Sequence, residues 1–280
     1  MNVVDRDTVM CISLAERPGN HGNRFHNYLY AELGLNYIYK SFSSSDIGAT
    51  VAGIASLGIR GASVSMPYKE RCIPYLDDLD PSARAIGSVN TIVNDGGRLV
   101  GYNTDYLALR ALLGRVRLPS DFALRGSGGM ARAVVAALVD SGLPDGVVIA
   151  RSEARGRLLA ESFGVEWAPD LGDRRPSLLV NATPIGMVGG PDVGELAFPA
   201  EAVAAATTVV DVVFAPVETP LVSLARRVPT DVVTGDSILL LQALEQFVLY
   251  TGVRPSDAQV SRAEAYASSG ERTAGPQESR

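Results

Sequence analysis

Three short polar segments contain the side chains that could transfer a proton. They are residues 65–70 (Ser-Met-Pro-Tyr-Lys-Glu), 88–91 (Ser-Val-Asn-Thr) and 101–105 (Gly-Tyr-Asn-Thr-Asp). Each falls at a predicted strand end, and ligands of open α/β sheets bind beyond the carboxyl ends of the strands. We therefore expect the three segments to meet around one small-molecule site.

Lys69 is the candidate proton donor or acceptor. Pro67 suits the first position of a helix, which places Lys69 in the first turn, where the helix dipole disfavours an ammonium and favours release of its proton. A nearby carboxylate such as Asp105 would partly restore the charge and orient the lysine. Taken singly, each residue also fits an ordinary role: Lys69 as a surface residue, Asp105 as a helix cap and Asn90 as a turn residue.

A glycine-rich turn at residues 125–131 (Arg-Gly-Ser-Gly-Gly-Met-Ala) is the second candidate site. Gly126 permits a tight turn, Gly128 lets the backbone approach a pyrophosphate, and Ala131 lets the following helix pack closely on the strand. The N–H groups at that helix N-terminus attract phosphates. Glycines after a strand also form turns that bind nothing. The position between an apolar strand and a helix favours dinucleotide binding.

The end of the next strand indicates which dinucleotide. NAD sites usually place Asp or Glu there, about 20 residues after the glycines. This chain has Arg151, Ser152 and Arg155 instead. The arginines could bind a 2′-phosphate bidentately and Ser152 could donate to it, so NADP is favoured over NAD. Alternatively, both arginines are solvated surface charges, and Glu153 pairs with one of them.

Alternating strands and helices position these residues, and the predicted fold class is α/β. In the first half we predict strands at 9–14, 37–42, 62–65, 88–93 and 99–102, with helices at 24–33, 47–57 and after Pro67. In the second half we predict a helix at 104–114, a connection at 118–120, strands at 122–124, 146–150, 178–181 and 209–213, and helices starting near Gly129 and Arg155. The first pattern predicts a mixed sheet and the second a parallel sheet. We expect two domains, 1–103 and 104–235, then helices within 236–267 that return to the first domain, and a disordered tail at 268–280.

The composition excludes several classes of protein. The 280 residues carry 25 Lys and Arg against 31 Asp and Glu, a net charge of −6, which argues against a nucleic-acid partner. No stretch approaches the roughly 18 uninterrupted apolar residues of a membrane span, and the N-terminal residues do not resemble an export signal. Cys11 and Cys72 support neither a disulfide scaffold nor a cysteine zinc site, so we expect a cytoplasmic protein.

Together these motifs resemble the shikimate dehydrogenase family over nearly the whole chain. The resemblance lies in residues 64–70, 86–93 and 101–105, the turn at 126, the Asn-Ala-Thr-Pro-Ile-Gly-Met segment at 181–187, and Gln242. Residues 13–30 resemble the divergent branch called shikimate dehydrogenase-like proteins.

The resemblance implies an N-terminal substrate-binding catalytic domain, a C-terminal Rossmann domain for NADP(H), and a cleft between them. It implies reversible hydride transfer to 3-dehydroshikimate, a step of aromatic amino acid biosynthesis towards chorismate. The partner is a small polyol carboxylate, with no nucleic acid, membrane or metal, and the chain is a monomer or homodimer. The implied catalytic residues are Lys69 and Asp105, and the implied substrate contacts are Ser65, Asn90 and Gln242. We add Asn20 as a candidate substrate contact of this chain. The implied cofactor contacts are Gly126, Ser127, Gly128, Gly129, Met130, Ala131, Arg151, Ser152, Arg155, Thr183 and Met187.

The chain departs from the family pattern where the substrate carboxylate binds. The family has two serines upstream of a His-Asn pair, and alignment on residues 26–27 puts Asn20 and Gly22 in their places. Losing a hydroxyl that pairs with a ligand lowers affinity by about one to two decades. Either Asn20, Asn23 or a neighbouring arginine (Arg17 or Arg24) binds the carboxylate, or the preferred substrate differs, quinate being the next candidate.

Other departures leave the class of activity open. Phe214 stands in place of a usual tyrosine, and Ala150 in place of an asparagine before the cofactor arginine. We interpret His26 as a packing and hydrogen-bonding residue and His21 as a loop residue. The alternative to an enzyme is a regulatory protein that binds NADP or a shikimate-like ligand without useful turnover. Retention of Lys69 and Asp105 argues against that alternative, because a sensor needs no proton donor.

Overall fold

The computed structural model describes residues 4–16, 18–114 and 120–269. The strands are β1 (Val9–Leu14), β2 (Tyr37–Phe42), β3 (Gly61–Val64), β4 (Asp78–Leu79), β5 (Thr91–Asp95), β6 (Arg98–Tyr102), β7 (Phe122–Arg125), β8 (Gly146–Ile149), β9 (Glu166–Ala168), β10 (Leu178–Asn181), β11 (Thr208–Asp211) and β12 (Asp231–Val233). The helices are α1 (His21–Glu32), α2 (Ile47–Ser56), α3 (Tyr68–Arg71), α4 (Pro81–Arg84), α5 (Thr104–Leu113), α6 (Gly129–Asp140), α7 (Glu153–Phe163), α8 (Ala200–Ala205), α9 (Pro220–Ala225), α10 (Gly235–Thr251) and α11 (Asp257–Ser269).

The chain folds into two compact units. One comprises the residues up to Thr104 together with those from Ala243 onward, and the other is Asp105–Gln242. Helix α10 therefore contributes residues to both units. Of the connection at 118–120, only Ser120 belongs to the described residues.

The first unit is built on a mixed sheet of order β2-β1-β3-β5-β6-β4. Strands β2, β1 and β3 are parallel, whereas β5 pairs antiparallel with both β3 and β6. One face of the sheet carries buried aliphatic side chains such as Ile12, Leu14 and Ile92, which pack with Val51 and Ile54 of α2. Because β5 runs against β3, the residues that precede β5 lie beside the carboxyl end of β3.

The second unit contains an entirely parallel sheet of order β12-β11-β10-β7-β8-β9. This is the doubly wound order in which strands one to three and four to six run outward from the centre, so the order reverses between β7 and β10. Leu179, Val209 and Phe198 belong to its core. Ligands of such sheets bind beyond the carboxyl ends at this point of reversal. The predicted α/β class, with a mixed and a parallel sheet, is confirmed.

Several boundaries differ from the prediction. Strands β4, β9 and β12 were not predicted, because two or three residues are too few to show a period-2 pattern. Ser268 and Ser269, assigned to the tail, belong to α11. Ser268 Oγ donates to Glu264 Oε1 at 2.6 Å, which supports the last helical turn. Residues 270–280 lie outside the described part of the chain.

Two further predictions about the polar segments are wrong in detail. Pro67 precedes α3 instead of occupying its first position. Lys69 is therefore the second residue of a helix of four residues and still lies in its first turn. Strand β5 begins at Thr91, so Ser88 and Asn90 lie before it.

Among the described residues, no helix combines the length and the apolar character needed to cross a bilayer.

Candidate functional site

A cavity of about 600 Å³ opens at the carboxyl ends of β7, β8 and β10 in the second unit. The turn after β7, the turn after β8 and the loop after β10 line it. These are the strands on either side of the point of reversal. The position matches that of a dinucleotide in a doubly wound sheet.

Gly126 can only be glycine. Its φ is +133°, and a Cβ there would lie 2.7 Å from the carbonyl oxygen of Ala182. The turn is fixed from both sides, because Gly126 N donates to Ile149 O at 2.9 Å and Ala182 N donates to Arg125 O at 2.8 Å. The backbone after β7 is thus locked onto β8 and β10.

The N-terminus of α6 is open to a ligand. Gly128 precedes the helix, and a Cβ at Gly128 or Gly129 would meet no atom within 4 Å. Ala131 is fully buried, which lets α6 lie close to the sheet. Met130 is half-buried, and Ser127 lines the cavity. Exposed N–H groups at a glycine-lined helix start fit a diphosphate.

Two arginines stand in the turn after β8. Arg151 and Arg155 line the cavity, and neither forms a salt bridge with a carboxylate of the described residues. Glu153, the alternative partner, instead pairs with Arg157 at 2.8 Å. Ser152 Oγ caps α7 by accepting from Arg155 N at 3.5 Å, which leaves its own hydroxyl proton available to a phosphate. These groups fit a 2′-phosphate.

A buried hydrogen-bond network fixes the loop after β10. Asn181 Nδ2 donates to Asp211 Oδ1 at 3.0 Å, and Asn181 Oδ1 accepts from Thr183 N and Oγ1 at 3.1 and 2.6 Å. Asp211 also accepts from Thr219 Oγ1 and Val213 N. Burial raises the pKa of the Asp211 carboxyl. The network holds Thr183 at the cavity wall.

In the first unit, backbone hydrogen bonds bring Ser65, Lys69 and Asn90 together. Ser65 follows β3 directly, and Val64 N donates to Asn90 O at 2.7 Å. Val89 N donates to Lys69 O at 2.9 Å, which ties α3 to the segment before β5. Ser65 is exposed and Lys69 half-buried. The predicted meeting of these segments is found within this unit.

The side-chain carbonyl of Asn90 fixes the start of α5. It accepts from Thr104 N at 2.7 Å, Thr104 Oγ1 at 3.1 Å and Thr91 Oγ1 at 2.9 Å. Asp105 follows in the first turn of α5 and is 6% exposed. Sequence reasoning missed Gln246, whose Nε2 donates to Thr91 Oγ1 at 3.1 Å and lies 3.3 Å from Asn90 O. Its spacing of four residues from Gln242 on one helix was the available signal.

Tyr39 occupies the region where the substrate carboxylate contact was expected. A Cβ at Gly22 would touch the Tyr39 ring at 3.4 Å, so the ring occupies the space that a longer side chain would need. Tyr39 Oη and Ser63 Oγ are hydrogen-bonded at 2.7 Å, and Ser13 Oγ donates to Ser41 Oγ at 2.8 Å. The three serines stand in register on β1, β2 and β3.

The other candidates for the carboxylate contact were Asn20, Arg24 and Arg17. Asn20 is exposed at the start of α1 and lies 3.4 Å from Asn23 Nδ2. The guanidinium of Arg24 donates to Tyr266 O at 2.6 and 3.0 Å and to Ser269 on α11, which ties Arg24 to that helix. Arg17 lies outside the described residues.

The two histidines are structural. His21 is the first residue of α1 and not a loop residue, and it pairs with Glu264 at 3.0 Å. His26 is 1% exposed and stacks on Tyr39 with ring centroids 4.3 Å apart. Burial, with a smaller contribution from His21, lowers the pKa of His26 to about 3. Such a neutral ring serves packing, as the sequence predicts.

The remaining predicted contacts are scattered within the second unit. Gln242 is half-buried on α10. Met187 is half-buried and does not line the cavity, unlike Thr183. Phe214 is 55% exposed, and Ala150 lines the cavity beside Arg151.

Comparison with known proteins agrees with the motifs. The model of the shikimate dehydrogenase substrate-binding domain matches residues 22–92. A shikimate dehydrogenase-like protein of Haemophilus influenzae is 46% identical over 267 residues, which cover 95% of this chain and 98% of that protein.

Two solved structures share the fold. Shikimate 5-dehydrogenase of Thermus thermophilus, in complex with NADP(H) and shikimate, is 30% identical, with a TM-score of 0.82 over 92% of this chain and 99% of that one. Quinate dehydrogenase of Corynebacterium glutamicum, in complex with NAD, is 26% identical, with a TM-score of 0.85 over 94% of this chain and 99% of that one. The resemblance found in the sequence is confirmed, and the chain belongs to the shikimate dehydrogenase family, close to its shikimate dehydrogenase-like branch.

Proposed function

We propose that this chain is an NADP-dependent oxidoreductase that interconverts 3-dehydroshikimate and shikimate, or a close cyclic polyol acid. The observation that supports this most directly is the cavity of the second unit, where a tight glycine turn adjoins two arginines that form no salt bridge with a carboxylate of the described residues. The related enzyme of Thermus thermophilus holds both NADP(H) and shikimate. The activity would serve aromatic amino acid biosynthesis.

The residues of the cavity divide between two parts of the cofactor. Gly126, Gly128 and the start of α6 would hold the diphosphate, and Arg151 with Arg155 would hold the 2′-phosphate. When bound, the reduced nicotinamide supplies a hydride to a ketone carbon of the substrate.

Lys69 is the proposed proton donor. As the ketone oxygen gains negative charge, the ammonium stabilises it and delivers a proton to that oxygen, which becomes the hydroxyl of the alcohol. In the oxidative direction Lys69 takes the hydroxyl proton. Asp105 is proposed to keep Lys69 charged and oriented.

The proposed substrate contacts are Ser65, Asn90, Gln242 and Asn20. Asn90 Oδ1 accepts three hydrogen bonds, which fix the side chain proposed to contact a substrate hydroxyl. Thr183 and Met187 are proposed to lie near the nicotinamide.

Replacing Lys69 tests the proposal. We expect Lys69→Ala to lower kcat with shikimate and NADP by at least about 100-fold, because the proton donor is lost. Shikimate affinity should change less than about tenfold, since the other contacts remain. Lys40→Ala is the matched control, because Lys40 is an exposed lysine of β2 in the same unit. Steady-state kinetics and equilibrium binding measure both quantities. Undiminished turnover of Lys69→Ala would remove Lys69 from the mechanism.

Quinate oxidation is the second candidate function. The fold is shared with a quinate dehydrogenase in complex with NAD, and the Gly22 region differs from the family pattern. Comparing kcat/KM for shikimate and quinate, each with NADP and NAD, decides between them. Ligand binding without turnover of any polyol acid would favour a regulatory role instead.

We also propose a cytoplasmic location and a monomeric or dimeric state. The location is supported by Cys11 and Cys72, which are buried and unpaired thiols.

A further inference from the structure

We propose that Arg125 is a further cofactor-binding residue, whose guanidinium binds the phosphate groups that NADPH and NADH share. The inference rests on the proposed function and deepens it. Arg125 is the last residue of β7, stands directly before Gly126 and lines the cavity of about 600 Å³. None of the motif assignments gives it a role.

Arg125 is a half-buried cation that has no salt-bridge partner among the described residues. Its Nε is buried without a hydrogen-bond partner, and no carboxylate of the described residues forms a salt bridge with it. Desolvation lowers the pKa of Arg125, and only a weaker attraction from Asp170 opposes this. A buried charge without a partner destabilises a fold. Its retention in a cavity is explained if a ligand supplies the missing negative charge.

The surroundings of Arg125 hold its head group at the cavity wall. Its Cζ lies 5.6 Å from the ring centroid of Phe198, which is 1% exposed and does not line the cavity. The guanidinium thus has an apolar wall on one side and the cavity on another. Pairing of Arg125 with Ile149 and Asn181 on the neighbouring strands fixes its backbone. A fixed planar donor group is suited to bidentate phosphate binding.

The position in the chain distinguishes Arg125 from the other two cavity arginines. Arg151 and Arg155 belong to the turn after β8, where the 2′-phosphate of NADP is expected. Arg125 ends β7, directly before the turn whose N–H groups would face the diphosphate. Both dinucleotides contain the diphosphate, so Arg125 should raise affinity for both equally.

The test measures dissociation constants of NADPH, NADH and ADP by titration calorimetry, with adenosine as the comparison ligand without phosphate. For Arg125→Met we expect all three to bind about 10- to 100-fold more weakly, with the ratio of NADPH to NADH affinity unchanged within about twofold. Arg125→Lys keeps the charge but not the planar guanidinium, so it should lose less affinity for the three ligands than Arg125→Met. The thermal midpoint of the ligand-free Arg125→Met protein should equal or exceed that of the wild type, because an unpaired buried charge is removed. Arg175→Met, at an exposed arginine outside this cavity, is the control and should bind as the wild type.

Three results would overturn the proposal: unchanged constants for Arg125→Met, a loss confined to NADPH, or an equal loss for adenosine, which has no phosphate. A lower thermal midpoint with unchanged constants would identify a purely structural residue and overturn it too. If the wild-type protein binds neither dinucleotide, the proposed function itself fails. Wild-type binding that Arg125→Met leaves intact defeats only the inference about Arg125.

Discussion

At the scale of single residues, the proposed role of Arg151 is to distinguish NADP from NAD. We expect Arg151→Ala to weaken NADPH binding by about 10- to 100-fold and to leave NADH binding nearly unchanged, because only NADPH carries the 2′-phosphate. Fluorescence titration with both dinucleotides measures the ratio. Arg157→Ala is the matched control, since Arg157 pairs with Glu153 and stacks over Trp167 at 4.4 Å, outside the cavity lining. An unchanged NADPH to NADH ratio in Arg151→Ala would refute the phosphate assignment.

His26 links the stability of the fold to pH. Its pKa is lowered from 6.5 to about 3 by burial. Between those values the unfolded chain binds a proton that the folded chain excludes, so stability is lost as the pH falls from about 6.5 towards 3. At pH 5 the loss from this one group is about 2 kcal/mol.

Urea unfolding at pH 8 and pH 5 measures this loss. In His26→Phe the ring no longer titrates, and the difference in unfolding free energy between the two pH values should shrink by about 2 kcal/mol. His21→Phe serves for comparison, because His21 lies in the same helix and is paired with Glu264. An identical pH dependence in the wild type and His26→Phe would show that His26 does not cause it.

At the scale of elements, two substitutions in the turn between β7 and α6 should affect protein stability and NADPH affinity separately. Gly126→Ala places a Cβ 2.7 Å from Ala182 O at a φ of +133°. We expect backbone strain alone to lower the free energy of unfolding by about 1 to 3 kcal/mol, measured by urea unfolding without ligand. Gly128→Ala meets no atom within 4 Å. It should fold nearly as the wild type and yet bind NADPH more weakly, because its Cβ intrudes where the diphosphate approaches. Equal stability of the two variants would contradict this account.

At the scale of the whole molecule, NADPH should stabilise the protein through the unit that contains the cavity. At a concentration 100 times the dissociation constant, binding to the folded state alone contributes about 2.7 kcal/mol. We expect the calorimetric midpoint of that unit to rise by about 5 to 10 °C. The rise should be smaller at the same NADPH concentration for Arg151→Ala. If NADPH leaves the wild-type midpoint unmoved, the cavity does not bind it.

The amino-acid sequence by itself determined the longer elements and the family. Strands β1 and β2 have the predicted bounds, because six-residue strands bounded by turn residues show their pattern locally. Strands β9 and β12 have three residues each and lie at the edges of their sheet. They are too short to show such a pattern, and they were not predicted. The glycine turn and Arg151 were recognisable because their chemistry depends on residues close together in the chain.

Only the tertiary structure decided what each polar group contacts. It shows that Asn90 Oδ1 holds Thr104, that Tyr39 fills the space beside Gly22, and that Arg24 is bound to α11. It also shows that Arg125 Nε is buried without a hydrogen-bond partner among the described residues. These contacts join residues far apart in sequence, and burial sets their energies. Periodicity and motif spacing report only on neighbours along the chain, so they could not reveal them.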